Sequence, residues 1–232
     1  SQAIYNNIYG TELLCKLAVE LKVKSFTLIS TDKAVRPTSL MGVTKRVSEL
    51  ICQSLALENI STKISIVRFG NVIESSGSVI PLFKKQISMG GPITITNKNV
   101  TRFFMTKKEA AELVIQASSV GKSGEILFLD MGKAVNILQL AKKMIFLYGL
   151  NFVEENKENI KNSINTIKIK FIGLQPGEKL HEELSLNKNY NKTIHPRIFS
   201  VNEEKASAKE LKKILTLLYS YKNSDSSEKL KK

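Results

Sequence analysis

Short apolar stretches alternate with amphipathic ones along most of the chain, and this pattern predicts a mixed α/β fold. Residues 24–30 (KSFTLIS) and 63–69 (KISIVRF) are rich in apolar and β-branched side chains. Such runs are typical of parallel strands that are covered on both faces. Between them, residues 39–58 place apolar side chains at helical spacing. Strand, helix and strand in this order predict a βαβ unit in a parallel sheet.

The same periodicities predict the remaining elements. Helices are predicted at 1–23, 79–89, 107–120, 137–148 and 203–222, and further strands at 93–96, 125–131 and 167–172. Residues 151–165 are polar and aperiodic, which predicts a loop that is an insertion rather than a site. Residues 222–232 are charged and Ser-rich, and we expect this tail to be disordered.

Composition narrows the classes of protein to consider. The 232 residues suffice for one sizeable α/β domain or a domain with a small appendage. The net charge of +14 would attract nucleic acid, anionic lipid or a sugar nucleotide diphosphate. However, the positive residues are scattered and Arg is scarce, which indicates a Lys-rich surface rather than a nucleic-acid site.

Two cysteines and the absence of long apolar runs bear on location. Cys15 and Cys52 lie on apolar helical stretches, and we expect buried thiols rather than a disulfide or metal framework. This favours a reducing cytosol. No run approaches 18 apolar residues and no signal peptide opens the chain, so any membrane anchor must lie elsewhere.

Polar residues follow the first predicted strand directly. Thr31, Asp32 and Lys33 would emerge at its carboxyl end, where open α/β sheets bind ligands. On the next helix, Met41 and Lys45 lie four residues apart and therefore share a face. From the pattern alone, a turn and a solvated lysine remain equally ordinary interpretations.

Residues 28–46 (LISTDKAVRPTSLMGVTKR) resemble the catalytic segment of the extended short-chain dehydrogenase/reductase family. More narrowly, they resemble the CapD-like nucleotide-sugar 4,6-dehydratases of surface polysaccharide biosynthesis. Most extended members carry Tyr-x-x-x-Lys on this helix, whereas here Met41 takes the tyrosine position ahead of Lys45. Met at this position is a feature of the large, membrane-associated branch, so the departure narrows the resemblance.

The resemblance implies an α/β fold that is the C-terminal part of a Rossmann-like doubly wound parallel sheet, with a small substrate-binding subdomain. The Rossmann portion would comprise mainly 1–74 and 107–131, the substrate portion mainly 75–106 and 132–200, and a surface helix with a basic tail 201–232. No Gly-x-Gly-x-x-Gly pattern occurs. The loop that cradles the NAD pyrophosphate is therefore expected in a segment preceding this one.

Three further motifs resemble family motifs. Asn71 follows the strand at 63–69, where the matching family residue contacts substrate, although an Asn in αL geometry is the ordinary alternative. The run SSGSVIPLF contains Ser78, which would meet phosphate or merely cap the helix that follows. In TRFFMT, Arg102 would clamp the diphosphate, a task suited to a planar, permanently charged guanidinium.

The run QPGEKL is similar to the family's RPGEKL, with Gln175 in place of arginine, so one positive contact to the nucleotide is lost. Glu178 would lie near the nucleotide, or alternatively act as a first-turn acid of a helix that also carries His181. Neither His181 nor His195 has companions at ligand spacing, so we expect no metal site.

The resemblance implies a reaction on a UDP-sugar, UDP-N-acetylglucosamine in particular. NAD would take hydride from C4, and the resulting ketone would make the C5 proton acidic. Lys33 would remove that proton while Asp32 protonates the departing C6 hydroxyl, after which the hydride returns to C6.

Other residues would serve the cofactor. By the same resemblance, Lys45 would hold the nicotinamide ribose, and Ser30 would lie beside the cofactor. Because Met41 cannot carry a proton, the usual tyrosine role would pass to Thr31, Asp32 or a water molecule.

Two rival functions remain open. A UDP-sugar 4-epimerase of the same family needs the NAD cycle but no elimination at C6. A non-catalytic remnant would keep the fold without the pyrophosphate loop. We expect a UDP-sugar partner, no nucleic-acid partner and a possible homo-oligomer. Full-length family members are often membrane-anchored, although we expect no membrane segment in this chain.

Overall fold

The structure is a computed structural model that describes residues 2–59, 61–75, 77–155, 165–186, 190–203 and 205–220. Its α-helices are α1 (Gly10–Glu20), α2 (Leu40–Glu58), α3 (Val79–Ser88), α4 (Lys107–Val120), α5 (Ile137–Leu147) and α6 (Ala208–Ser220). A π-helical segment, Ile4–Tyr9, leads directly into α1. A 3-10 turn, Asp32–Ala34, lies between the first strand and α2.

Twelve strands are assigned within these described ranges. They are β1 (Ser25–Thr31), β2 (Lys63–Phe69), β3 (Asn71–Val72), β4 (Ile93–Ile95), β5 (Thr101–Arg102), β6 (Phe104–Met105), β7 (Ile126–Leu129), β8 (Val135–Asn136), β9 (Asn151–Glu154), β10 (Thr166–Phe171), β11 (Asn191–Lys192) and β12 (Ile198–Val201). The strands and helices predicted from hydrophobic periodicity are confirmed to within a few residues.

The chain divides into two compact units. The first unit takes its described residues from 1–69, 111–130 and 183–232. Its five-stranded sheet has the order β1-β2-β7-β12-β11. Strands β1, β2 and β7 are parallel, β12 pairs antiparallel with β7, and β11 pairs antiparallel with β12. This is the predicted α/β class, a parallel sheet extended at one side by two strands in antiparallel pairing.

Apolar side chains of the first unit explain why these elements assemble. Strand β2 is buried at five consecutive positions, 64–68, as expected for a central parallel strand. Cys15 and Cys52 are free thiols, both fully buried in the core between helices and sheet. Helix α6 contributes Leu211 to a second cluster that includes Ile8 and Val47, so it packs on the unit through an apolar stripe.

The second unit takes its described residues from 70–110 and 131–182. Its parallel sheet has the order β4-β10-β9, and α3 and α5 share its apolar core with these strands. Two small ribbons complete it, with β3 paired to β6 and β5 to β8. The side chain of Asn136 caps α5, because its Oδ1 accepts the N–H of Gln139 at 3.0 Å.

Three sequence predictions differ from the structure. The predicted loop at 151–165 begins as strand β9, which pairs in parallel with β10 despite its polar composition; residues 156–164 lie outside the described residues. The pattern predicts no strand after 167–172, whereas β11 and β12 follow it in the structure. Residues 183–200 belong to the first unit, whereas we grouped them with the substrate portion. The reason is that β12 pairs with β7 in the main sheet.

Membrane-spanning helices and metal-binding clusters are both absent from the described residues. No helix there combines the length and apolar character needed to cross a membrane. The same residues contain no group of three or more His, Cys, Asp or Glu side chains placed to hold a metal ion. The predicted tail at 222–232 lies outside the described residues.

Candidate active site

Thr31, Asp32 and Lys33 leave the carboxyl end of β1 in a tight turn. Thr31 is extended and its Oγ1 accepts the backbone N–H of Lys33 at 3.4 Å, which begins the 3-10 turn. The same hydroxyl donates to Asp32 Oδ1 at 2.9 Å. Because the turn starts where the strand ends, three chemically useful side chains occupy the edge of the sheet where α/β proteins bind ligands.

The carboxyl group of Asp32 is fully buried and only half satisfied. Lys33 Nζ lies 2.9 Å from Asp32 Oδ1, and the lysine side chain is 27% exposed. Asp32 Oδ2 has no hydrogen-bond partner among the described residues. A buried carboxylate oxygen without a donor costs free energy, so this oxygen is ready to bond a ligand hydroxyl.

The start of α2 holds this turn in place. Ser39 caps the helix, its Oγ accepting the N–H of Gly42 at 3.2 Å. A Cβ on Gly42 would overlap the backbone carbonyl oxygen of Lys33. Glycine is therefore required at position 42 because the helix backbone and the 3-10 turn touch there. Sequence reasoning missed this role, although Met41-Gly42 at the helix start was a visible signal.

Lys45 reaches from α2 back to the first strand. Its Nζ donates to the backbone carbonyl of Ile29 at 2.7 Å. Burial lowers the pKa of Lys45, against the opposing charge of Glu49. An ammonium group has three N–H donors, so further donors remain for a ligand. Met41 lies one turn earlier and is 41% exposed.

The side chain of Ser30, which the resemblance predicts beside the cofactor, is hydrogen-bonded to another residue of the protein instead. Sequence reasoning did not foresee this bond. The Ser30 hydroxyl donates to Glu49 Oε1 at 2.6 Å and the residue is 4% exposed. Glu49 also binds Arg68 through two bonds, from Nε to Oε1 and from Nη2 to Oε2, each 2.7 Å long. Serine, glutamate and arginine thus link β1, α2 and β2.

The second carboxylate of this network comes from the segment after β12. Arg68 Nη1 and Nη2 donate to Glu203 at 2.6 and 2.8 Å, and Arg46 lies within 3.2 Å of the same group. Burial alone would lower the pKa of Arg68, but its bonds to Glu49 and Glu203 raise it above its ordinary value. A visible signal was an arginine near the carboxyl end of an apolar strand.

In the second unit, Arg102 and Glu178 form a separate polar cluster. Arg102 Nη2 donates to Glu178 Oε1 at 2.9 Å, and its Nη1 donates to the carbonyls of Thr101 and Leu180. Thr96 Oγ1 adds a bond to Glu178 at 3.0 Å. The arginine is 8% exposed. Its guanidinium therefore holds the segment around residue 178 as well as offering positive charge.

The predicted helix after residue 175 is absent, and with it the interpretation of Glu178 as a first-turn acid. Residues 175–186 contain no helix. Glu178 Oε2 instead accepts the backbone N–H of Gln175 at 3.1 Å, a turn that Gly177 enables with φ of 78°. His181 pairs with Thr101, whose Oγ1 lies 2.9 Å from Nδ1. The Gln175 side chain donates to Gly173 O at 3.3 Å.

Two further candidates lie in this unit. Ser78 occupies the N-cap position of α3 but makes no side-chain capping bond, so the capping alternative is wrong. Its Oγ is buried without a partner among the described residues, which leaves it able to bond a ligand oxygen. Asn71 lies in β3 opposite Phe104 of β6, and its N–H donates to Phe103 O at 3.0 Å.

Comparison with known proteins places these residues in context. The family described as "Polysaccharide biosynthesis protein" matches residues 1–203. The capsular polysaccharide biosynthesis protein CapD of Staphylococcus aureus is 50% identical over 196 residues, 84% of this chain and 30% of that protein. UDP-glucose 4-epimerase of Rickettsia rickettsii is 38% identical over 185 residues, 79% of this chain and 50% of that enzyme. The chain thus spans a third to a half of these relatives.

Solved structures agree with this comparison. Pen from Bacillus thuringiensis is 33% identical with a TM-score of 0.71, over 92% of this chain and 68% of that chain. The dTDP-glucose 4,6-dehydratase DesIV from Streptomyces venezuelae, solved with NAD and TYD bound, shares the fold alone. It is 16% identical with a TM-score of 0.63, over 95% of this chain and 67% of that chain. The chain therefore belongs to the polysaccharide biosynthesis protein family, which has the Rossmann-like fold of nucleotide-sugar dehydratases and epimerases.

Proposed function

We propose that this chain is the substrate-transforming part of an NAD-dependent nucleotide-sugar 4,6-dehydratase that acts on a UDP-N-acetylhexosamine. The observation that carries the proposal is the buried pair at the end of β1, in which Lys33 Nζ lies 2.9 Å from Asp32 Oδ1 while Oδ2 has no described partner. An adjacent acid and amine are what an elimination across C5 and C6 requires.

The two side chains would divide the elimination between them. With a ketone at C4 of the sugar, the C5 proton becomes acidic, and the Lys33 amine removes it. Asp32 delivers a proton to the C6 hydroxyl through Oδ2, so that water leaves. The step requires the pair as a neutral amine and a carboxylic acid, and the 2.9 Å contact between Lys33 Nζ and Asp32 Oδ1 keeps the two groups in one place while the acid gives its proton to the leaving group and the amine takes the proton from C5.

The described residues fit one end of the cofactor. Lys45 can hold the nicotinamide ribose, since its ammonium retains donors beyond the bond to Ile29. Ser30 gives its hydroxyl to Glu49, so we assign it to holding the strand instead. When bound, NAD supplies the hydride acceptor at C4 and the hydride donor at C6. The pyrophosphate loop is not present in this sequence.

The sugar nucleotide would use the second unit. Arg102 offers a partly occupied guanidinium, Ser78 a hydroxyl without a described partner, and Asn71 an amide after the strand that ends at Phe69. Gln175 and Glu178 would flank the nucleotide. The free thiols Cys15 and Cys52 suit a reducing compartment such as the cytosol.

A 4-epimerase is the second candidate, because two relatives that bear that name are 37% and 38% identical to this chain. The Asp32–Lys33 pair favours the dehydratase, since epimerisation at C4 needs no acid and base at C5 and C6. A non-catalytic role is the third alternative.

The three functions differ in their products. A chimera should be made in which residues 1–203 replace the matching segment of the Staphylococcus aureus CapD relative, with the unaltered relative measured alongside. With NAD and UDP-N-acetylglucosamine, we expect a 4-keto-6-deoxy product by mass spectrometry. Recovery of only the C4 epimer would establish the epimerase. An inactive chimera beside an active relative would support the non-catalytic role.

A binding measurement separates the cofactor claim from the reaction. Calorimetry of the isolated chain with NAD should show no tight binding, because the pyrophosphate loop is not part of this sequence. Tight binding would contradict the assignment of only the nicotinamide-ribose end to these residues.

A further inference from the structure

A small polar cavity lies beside the amino end of β7, at the opposite edge of the main sheet from Asp32. Its volume is about 240 Å³. It is lined by Gln53, Lys122, Ser123, Gly124, Glu125, Asn191, Ser200, Val201, Asn202 and Lys205. All of them belong to the first unit, and none takes part in the proposed reaction.

Gln53 gives this cavity an unsatisfied acceptor. The residue is 3% exposed, and its Nε2 donates to the carbonyl of Gly124 at 3.4 Å. That bond identifies the other atom, Oε1, as the acceptor, and Oε1 has no hydrogen-bond partner among the described residues. A buried amide oxygen left in this state is unfavourable. A ligand hydroxyl would supply the missing donor.

Two ammonium groups make the cavity positive. Lys122 and Lys205 both line it, and the described residues provide no ion-pair partner for either. Lys205 lies over the turn, since a Cβ on Gly124 would be 3.9 Å from its Nζ. Among the described lining residues Glu125 supplies the one carboxylate, and its Oε2 accepts the backbone N–H of Lys122 at 2.9 Å. Within these residues the two lysines therefore outnumber the carboxylate.

The remaining polar groups are neutral and suit hydroxyls or phosphate oxygens. Ser123 Oγ accepts the N–H of Ile64 at 3.2 Å, so its own O–H is left to donate. Asn191 and Asn202 provide amides, and Ser200 provides a second hydroxyl. Amides, hydroxyls and ammonium groups together match a ligand that is both anionic and hydroxylated.

We propose that this cavity is a binding site for a small hydroxylated phosphate ester of the monosaccharide phosphate class. The phosphate would face Lys122 and Lys205, and a sugar hydroxyl would donate to Gln53 Oε1. A volume of about 240 Å³ is below the usual range of roughly 300–1,000 Å³ for larger organic ligands. It therefore suits one sugar ring with its phosphate rather than a nucleotide sugar.

Titration of the chain with glucose 1-phosphate tests the site. Two-dimensional NMR should show saturable shifts of the backbone amides at 122–125 and of the Gln53 side-chain amide. Inorganic phosphate and glucose serve as the separate halves of the probe. We expect glucose 1-phosphate to bind more tightly than either half. No saturable shift would mean that water alone fills the cavity and would overturn the proposal, as would equal binding of inorganic phosphate.

Matched variants assign the two contacts. Lys205→Gln should raise the Kd for glucose 1-phosphate by about tenfold, since a charge-assisted bond is lost. The control Lys24→Gln, an exposed lysine outside the cavity, should leave the Kd unchanged. Equal effects of the two changes would reduce the interaction to general surface charge and contradict the proposal.

Gln53→Met tests the acceptor, because an apolar side chain of similar shape removes the unsatisfied Oε1 together with the long 3.4 Å bond from Nε2 to the Gly124 carbonyl. Since the removed acceptor and the removed bond have opposite effects on stability, its Tm should stay close to that of the unaltered chain. Glucose 1-phosphate should then bind no better than inorganic phosphate. A Gln53→Met chain that keeps the full preference for the sugar phosphate would overturn the role of Gln53.

Discussion

Two fully buried carboxylates of the first unit differ in how completely they are bonded. Glu49 accepts hydrogen bonds from Ser30 and from Arg68, and it forms an ion pair with Arg46. Asp32 accepts bonds on one oxygen only, and its Oδ2 has no described partner. The two side chains are equally buried, but both oxygens of Glu49 accept hydrogen bonds, whereas, among the described residues, only one oxygen of Asp32 does.

The difference separates a carboxylate with a structural role from one that we propose to take part in the reaction. A buried charge with every lone pair engaged can hold secondary structures in register but has nothing left for a ligand. A buried charge with a free oxygen carries an energetic cost that a substrate hydroxyl removes. The two carboxylates also cooperate. Glu49 accepts a hydrogen bond from Ser30, two residues before Asp32, and so stabilises the end of the strand that positions Asp32.

The largest expected effect on stability follows from removing Arg68, the main hydrogen-bond donor to Glu49. Arg68→Met leaves Glu49 and Glu203 buried without their main partner, which should cost about 3–5 kcal/mol of the free energy of unfolding. Urea denaturation of the chain measures it. The control Arg36→Met removes an exposed pair with Glu183 and should cost no more than about 1 kcal/mol. Similar losses in both variants would contradict the structural role of the network.

Replacing the carboxyl group of Asp32 should affect turnover instead of folding. Asp32→Asn keeps the shape and both acceptor contacts but removes the proton donor, so kcat of the chimera should fall by about 100-fold or more. The free energy of unfolding should change by less than about 1 kcal/mol. If turnover survives, Asp32 is not the acid.

A third experiment tests the contact that positions the pair. Gly42→Ala forces a methyl group into the Lys33 carbonyl, and the resulting overpacking should cost about 1–3 kcal/mol. The matched control is Gly10→Ala, where the nearest atom to the new methyl group lies at 3.7 Å. That change should stabilise the helix by about 0.5–1 kcal/mol. Thermal unfolding should shift in opposite directions, and a neutral Gly42→Ala would refute the close contact.

The smallest expected effect is a pH dependence. Burial would raise the pKa of Glu203, but the bonds from Arg68 and the charge of Arg46 outweigh burial and hold it below its ordinary value of 4.5. A depressed folded-state pKa contributes stability that is present above 4.5 and is lost as the pH falls through the lower, folded value. Urea midpoints recorded downward from pH 7 should reveal this loss. In Arg68→Met it should be smaller, and an identical profile would exclude Glu203 as its source.

Much of the fold was predictable because local patterns agree with the tertiary structure. The apolar run of β2 and the helical spacing of α2 appear where the pattern placed them. Strands β9 and β12 were missed for different reasons. The polar β9 gains its pairing from β10, whereas β12 is a short segment whose partner β7 lies about 70 residues earlier.

The candidate site residues were likewise predictable only in part. The adjacency of Asp32 and Lys33 follows from the chain, and only one turn was needed to bring them into contact. The role of Glu178 depended on Arg102 and Thr96, which are more than 70 residues away in sequence. Local sequence could not distinguish that cluster from the first turn of a helix.

The sequence by itself determined the strands β1, β2 and β7, the six α-helices and the order of polar groups at the end of β1, because these depend on neighbours within a few residues. Only the tertiary structure decided which buried charge is satisfied. Arg68, Glu49 and Glu203 come from β2, α2 and the segment after β12, and packing those elements together saturates Glu49 while one oxygen of Asp32 is left free. Desolvation makes that difference matter, since a hydrogen bond missing in the interior cannot be replaced by water.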